Sequence, residues 1–202
     1  MNFDASFWDD RFSRDDYIYG TDPNEFLAAV ADRIPPGPVL CLAEGEGRNA
    51  VHLATRGHAV TAVDQSAVGL AKANRLAASR GATLETQVVD LADYNIVPGA
   101  WAGIVAIFVH LPPPLRRRVF GDAVRGLRPG GVFILEAFTP AQLAFTTGGP
   151  KDVNLLMTAD ALRADLAGLR FDILHQFERD VLEGPGHSGR AAVVQVLGVR
   201  PA

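Results

Sequence analysis

The sequence predicts an α/β fold built on a doubly wound sheet, mostly parallel and closed by an antiparallel hairpin at its C-terminal end. From Pro38 onward, short Val/Ile/Leu-rich runs alternate with segments of helical periodicity, the pattern of βαβ units. After Phe138 the alternation stops, and two long strand-like runs follow one another with no helix between them. Such consecutive strands pair antiparallel at a sheet edge.

Parallel strands are expected near Val39–Leu42, Ala59–Val63, Leu84–Val88, Gly103–Phe108 and Val132–Ala137. Helices are expected near Arg48–Arg56, Ala67–Ser79 and Pro114–Leu127, the last ended by Pro129-Gly130-Gly131. A loop with Gly148-Gly149-Pro150, a helix near Thr158–Leu166 and the runs Phe171–Leu182 and Arg190–Val199 complete a seven-stranded sheet. The first 37 residues stand outside the pattern. They mix aromatic with charged residues, contain one clear helix from about Asn24 to Ile34, and read as a lid or cap on a core spanning residues 38–202 of a single domain.

Composition narrows the function. With 48% hydrophobic and 21% charged residues the chain buries a full core. A net charge of -4 argues against a surface that neutralises nucleic-acid phosphates, so a small-molecule ligand is favoured. The basic run Arg116-Arg117-Arg118 reads as a solvated helix face. No basic leader with an apolar stretch opens the chain, and no apolar run is long enough for a bilayer. With the single Cys41 no internal disulfide forms. A cytoplasmic monomer or homodimer, with no nucleic-acid or membrane partner, is the expectation.

Chemistry concentrates at the strand ends. In VLCLAEGEGRNAVHLA a strand runs into a turn, Ala43-Glu44-Gly45-Glu46-Gly47-Arg48-Asn49, whose glycines allow a sharp bend and a close ligand approach at a helix start. The next strand ends at Asp64-Gln65-Ser66, where the Asp64 carboxylate is placed to accept ribose hydroxyls. The third is followed by Asp90-Leu91, placed for an adenine amine and an adenine face. Phe108 ends the fourth.

Two adenosine-bearing cofactors fit these signals, because Gly45 to Ala50 also matches the dinucleotide pattern G-x-G-x-x-A. A dinucleotide would bring its pyrophosphate against Glu44 and Glu46, whereas S-adenosylmethionine brings an ammonium and a sulfonium. The C-terminal hairpin also stands where a nicotinamide-binding half would lie. A methyltransferase is therefore favoured over an NAD(P)-dependent oxidoreductase, with a non-catalytic S-adenosylmethionine-binding module as a third reading.

The segments WDDRF (8–12), YGTDPNEFL (19–27), AEGEGRNA (43–50) and IFVHLP (107–112) resemble those of class I, Rossmann-like methyltransferases, in particular the bacterial TehB-like tellurite-resistance proteins related to thiopurine methyltransferases. The resemblance implies S-adenosylmethionine as cofactor and a small, soft acceptor such as a thiol or a reduced selenium or tellurium species. Cys41 and Ala43 stand where that superfamily has D-x-G, which leaves Glu44, Glu46 or a backbone carbonyl of the turn to bind the cofactor ammonium.

On the acceptor side, His110 follows the fourth strand and is the candidate catalytic residue, a base or a substrate contact. Glu136, near the end of the fifth strand, and His187, if the hairpin tip folds over the strand ends, are further substrate-binding candidates. Trp8, Tyr17 and Tyr19 are the lid candidates. Glu178, Glu183 and His187 lie close in sequence without ligand spacing, so no metal site is expected.

Overall fold

A computed structural model describes residues 4–202; residues 1–3, the head of the segment read for a leader, lie outside the described residues. Seven strands, β1 (Val39–Leu42), β2 (Val60–Asp64), β3 (Glu85–Val88), β4 (Trp101–Ile107), β5 (Leu127–Phe138), β6 (Arg170–Glu183) and β7 (His187–Val199), form one sheet in the order β3-β2-β1-β4-β5-β7-β6. The first five are parallel; β7 runs antiparallel between β5 and β6. The order reverses between β1 and β4, and ligands of open α/β sheets bind at such a switch point, outside the carboxyl ends of the strands.

Helices cover both faces. On one, α2 (Glu25–Val30), α3 (Arg48–Thr55) and α4 (Ala67–Ser79) bury Leu27, Val30, Leu53 and Leu70 against β1, β2 and β4. On the other, α5 (Pro113–Gly126) and α6 (Ala159–Asp165) bury Phe120, Ala123, Leu162 and Leu166 with Leu40, Ile104 and Phe133. Local chemistry sets the helix starts: Ser66 caps Gly69 N–H, Thr158 caps Ala161 N–H, and Pro113-Pro114 occupies positions that need no N–H partner.

Three expectations change. Residues Ala5–Phe12 form a helix, α1, with Asp4 accepting from Phe7 N–H, although SFWDDRF has no clean apolar stripe. Helix α5 stops at Gly126, ahead of Pro129, because Leu127 already pairs with Trp101 and β5 takes over. The basic run is only partly solvated: Arg116 is buried against Asp165 at 2.7 Å, tying α5 to α6, and Arg118 donates to the carbonyls of Leu91 and Ala92. Among the described residues no helix is long and apolar enough to cross a membrane.

Candidate active site

The turn after β1 is held by groups at the switch point of the sheet. Asp64, at the carboxyl end of β2, accepts from Gly45 N–H at 2.8 Å through one oxygen and from Ser66 N–H at 2.8 Å through the other. Each oxygen keeps lone-pair capacity for a further donor, in the position expected of a ribose ligand. Burial raises the Asp64 pKa, an effect opposed by the hydrogen bonds from Ser66 and Gly45. Ala43 has φ 47° and Phe108 φ 54°, the only described non-glycine residues with positive φ. Both sit just past strand ends at the switch point, where strained backbone marks a site. Ala43 thus adopts the conformation usual for glycine at the position its family resemblance assigns to one.

Glu44 and Glu46 differ from the expected pair of ligand-facing carboxylates. Glu44 turns back onto α3 and accepts from Asn49 N–H at 3.0 Å and Ala50 N–H at 2.8 Å, capping a helix whose own cap residue, Gly47, has no side chain. Glu46 is buried, pairs with Lys72 of α4 and accepts from Ile18 N–H at 2.9 Å. Both charges are neutralised or hydrogen-bonded within the fold, so the argument that turn acidity selects a cationic cofactor is corrected. Gly47 owes its identity to packing as well as to its φ of 92°, since a Cβ there would lie 2.4 Å from that of Ala73.

Burial raises the Glu44 pKa to about 7, opposed by Ala50 N–H, Arg48 and Asn49 N–H. A folded-state value above the unfolded one means that the native state holds its proton longer. The stability associated with Glu44 is then complete below about pH 4.5 and falls as pH rises through 7. Glu44→Gln keeps an acceptor for both N–H groups and removes the titration. Relative to wild type it should gain on the order of 1 kcal/mol at pH 8 over pH 5, roughly 2–4 °C in thermal unfolding; an equal Tm difference at both pH values would contradict it.

The remaining cofactor-side residues are placed as follows. Arg48 pairs with Glu183 at 2.6 Å, and Asn49 Oδ1 accepts from Asn24 N–H, so both side chains face the N-terminal segment and the hairpin tip. Ser66 caps α4 and donates to Asp9 of α1, and Gln65 beside it is half-buried. Asp90 is exposed and closes its own turn on Ala92 N–H, whereas Leu91 is buried in the core. The Phe108 ring lies on the acceptor side, 4.5 Å from Phe138 and 4.7 Å from His187 between ring centres.

The acceptor-side candidates converge only in part. His110 stacks on Phe138 at 5.7 Å, and His187, at the start of β7, lies 4.5 Å from Tyr19 and 5.4 Å from Phe138. The hairpin tip thus does reach the strand ends, and Tyr19, Phe108, His110, Phe138 and His187 form one aromatic wall. His110 Nδ1 faces the Leu155 carbonyl at 3.2 Å, which puts its proton there, and Nε2 is buried with no hydrogen-bond partner among the described residues. Burial lowers the His110 pKa to about 4, so the ring is neutral at physiological pH.

Tyr17 is a correction: it packs on the outer side of α4 with Val51 and Leu76, its hydroxyl donating to the Lys72 carbonyl. Glu136 is another, fully buried and paired with Arg179 at 2.6 Å, with Asn24 and Gln195 also donating to it. Trp8 stacks on Phe12 at 5.5 Å, and Phe12 in turn covers Gly45.

Sequence reading gave no role to the side chains of Lys72, Asn24 and Arg179. Lys72 was visible in principle. It falls on the apolar stripe of its helix, three residues after Gly69 and four before Leu76, where a lysine requires buried partners. It has them: the Phe12, Arg14 and Asp16 carbonyls and the Glu46 carboxylate.

The order β3-β2-β1-β4-β5-β7-β6 places the Asp64 carboxylate, at the end of β2, beside the glycine turn after β1. Residues 39–131, from β1 into the start of β5, match the family described as a methyltransferase domain.

A curated relative, the 2-heptyl-1-hydroxyquinolin-4(1H)-one methyltransferase of Mycobacteroides abscessus, is 28% identical over 145 residues, 70% of this chain. The match spans 64% of that relative's length. The solved structure of TehB from Haemophilus influenzae superposes with a TM-score of 0.73 over 97% of this chain and 66% of that one, at 16% identity. The N-methyltransferase NodS from Bradyrhizobium japonicum, in complex with S-adenosyl-L-homocysteine, superposes with a TM-score of 0.71 over 98% of each chain, at 13% identity.

Proposed function

We propose that the chain transfers a methyl group from S-adenosylmethionine to a small-molecule acceptor that ionises without help from a strong protein base: a thiol or a reduced selenium or tellurium species. The cofactor fits the residues present. Asp64 is fixed by backbone donors with acceptor capacity left over, and Gly45 is covered by Phe12 of the N-terminal segment and by no side chain of the turn itself. Its sulfonium supplies an activated methyl group for in-line displacement. The protein then has to bind, orient and exclude water, and orientation alone contributes on the order of 7–11 kcal/mol.

One observation carries the choice of acceptor: the pocket lacks a competent base. His110 is held neutral with a pKa near 4, the Glu136 carboxylate is buried in its pair with Arg179, and burial lowers the His187 pKa. A His110 ring of that pKa is a weak base toward a poorly acidic hydroxyl at neutral pH. An acceptor of low pKa needs no such transfer, and the rings of Tyr19, Phe108 and Phe138 give it a poorly hydrated wall. Within this reading residues 1–37 act as the lid, with Trp8 on Phe12 and Tyr19 on His187.

The curated relative favours a second arm, because its named substrate bears a hydroxyl on nitrogen. The test is transfer of a labelled methyl group to a panel of thiols, hydrogen selenide, an N-hydroxyquinolinone and an unactivated alcohol. Transfer to the sulfur and selenium acceptors is expected, with His110→Ala costing less than roughly tenfold in kcat/KM. Methylation of the alcohol alone, or a loss beyond about 10³-fold in His110→Ala, would mean that a general base operates.

A further inference from the structure

The ring of His110 carries a lone pair that the fold leaves unused. Its Nδ1 lies 3.2 Å from the Leu155 carbonyl. A carbonyl oxygen only accepts, so the proton of that bond belongs to Nδ1. A neutral imidazole has one N–H, which makes Nε2 an acceptor. That atom is buried and has no hydrogen-bond partner among the described residues. Burial also lowers the His110 pKa to about 4, in agreement with a neutral ring.

The surroundings supply no donor. His110 stacks on Phe138 with the ring planes 3° apart, and Phe108 and His187 meet the same Phe138 ring at 4.5 and 5.4 Å between centres. The loop on this wall approaches as bare backbone. A Cβ on Gly149 would lie 2.7 Å from the Phe138 ring, and one on Gly148 would lie 2.9 Å from that of His187. Polar side chains beside the loop are engaged elsewhere: Thr147 donates to the Arg190 carbonyl and the Gln142 amide to the Gly148 carbonyl at 3.1 Å. Buried acceptors in folded proteins are nearly always paired, and one left without a donor costs free energy. His110 stands just past the end of β4 at the switch point of the sheet, where a ligand can bring that donor.

We propose that His110 determines acceptor specificity: its Nε2 accepts a hydrogen bond from an N–H or O–H that the methyl acceptor carries next to its nucleophilic atom. This rests on the reading of the site as a methyltransferase pocket. No proton is transferred to the ring. The bond orients the acceptor, so its contribution is one of positioning and not of base strength. Among soft nucleophiles the pocket then favours those with an adjacent donor over those with an apolar group of the same size. The alternative is a buried water on Nε2 and no part for the ring in acceptor binding.

Long-range proton–nitrogen NMR on the wild-type protein, with His110 assigned through His110→Phe, should show a neutral ring protonated on Nδ1. With S-adenosylhomocysteine present, 2-aminothiophenol should move the Nε2 signal further than 2-methylthiophenol, which is of similar size and has no donor beside its sulfur. Kinetics compares the same two thiols. His110→Phe keeps an aromatic ring against Phe138 and removes the lone pair. It should lower the ratio of kcat/KM for 2-aminothiophenol over 2-methylthiophenol by about three- to tenfold, the size of one neutral hydrogen bond. A wild-type ring protonated on Nε2, or an unchanged ratio in a variant that still binds S-adenosylhomocysteine, overturns the proposal. If His110→Phe does not fold, the wild-type titrations decide, and equal movement of Nε2 with both thiols overturns it. Wild-type protein that binds S-adenosylhomocysteine but methylates neither thiol sinks the acceptor reading, and this role with it. Methylation of both thiols with an unchanged ratio sinks this role alone.

Discussion

Asp64→Ala should weaken S-adenosylhomocysteine binding by roughly 1.5–3 kcal/mol, the range for hydrogen bonds to a charged group, or about 10–150-fold in Kd. The carboxylate does two things at once. In the proposed reading it binds the ribose from the end of β2, and it holds Gly45 and Ser66, which shape the turns after β1 and β2. Asp64→Asn separates these contributions, because its one amide oxygen still accepts from one N–H while the charge is gone. It should fall between wild type and the alanine variant in calorimetry. An alanine variant that binds like wild type would remove Asp64 from the cofactor site.

Lys72→Met should have the largest effect on stability. It leaves Glu46 buried with no ion-pair partner and releases the carbonyls of residues 12, 14 and 16, which Lys72 gathers under α1. Breaking a buried pair by removing one partner costs about 3–5 kcal/mol. Urea denaturation should report a loss in that range, and cleavage at the exposed Arg14 should accelerate. The double variant Lys72→Met/Glu46→Gln should recover a substantial part of the loss, since the unpaired charge is then gone. A loss below about 1 kcal/mol, or a double variant no better than the single one, would mean that the pair does not hold this segment.

Strands β1, β2 and β4 were legible because they are buried on both faces and read as largely apolar runs between glycine and proline breaks. Helix α1 was not legible, because its stability comes from contacts far along the chain: Phe12 on Gly45 and Gly69, and Asp9 on Ser66. At the site, backbone-determined positions were legible, Asp64 and His110 among them, since a strand end fixes where its next residue lies. Side-chain direction was not. Glu44 and Glu46 occupy a ligand-facing turn, yet one caps a helix and the other meets a lysine 26 positions later. The cross-strand placement of Glu183 opposite His187 depends on the register of a hairpin in which β7 begins three residues before the strand-like run read from the sequence, at His187 rather than Arg190.

The most direct test of the account is a pair of calorimetric titrations of the wild-type protein, one with S-adenosylhomocysteine and one with NAD. The charge of the glycine turn no longer separates these ligands, so the result depends on the fold and the strand-end residues alone. Micromolar-order binding of S-adenosylhomocysteine, at least roughly tenfold tighter than NAD, is the predicted outcome. Tighter binding of NAD would contradict it and return the chain to the dinucleotide-binding oxidoreductases.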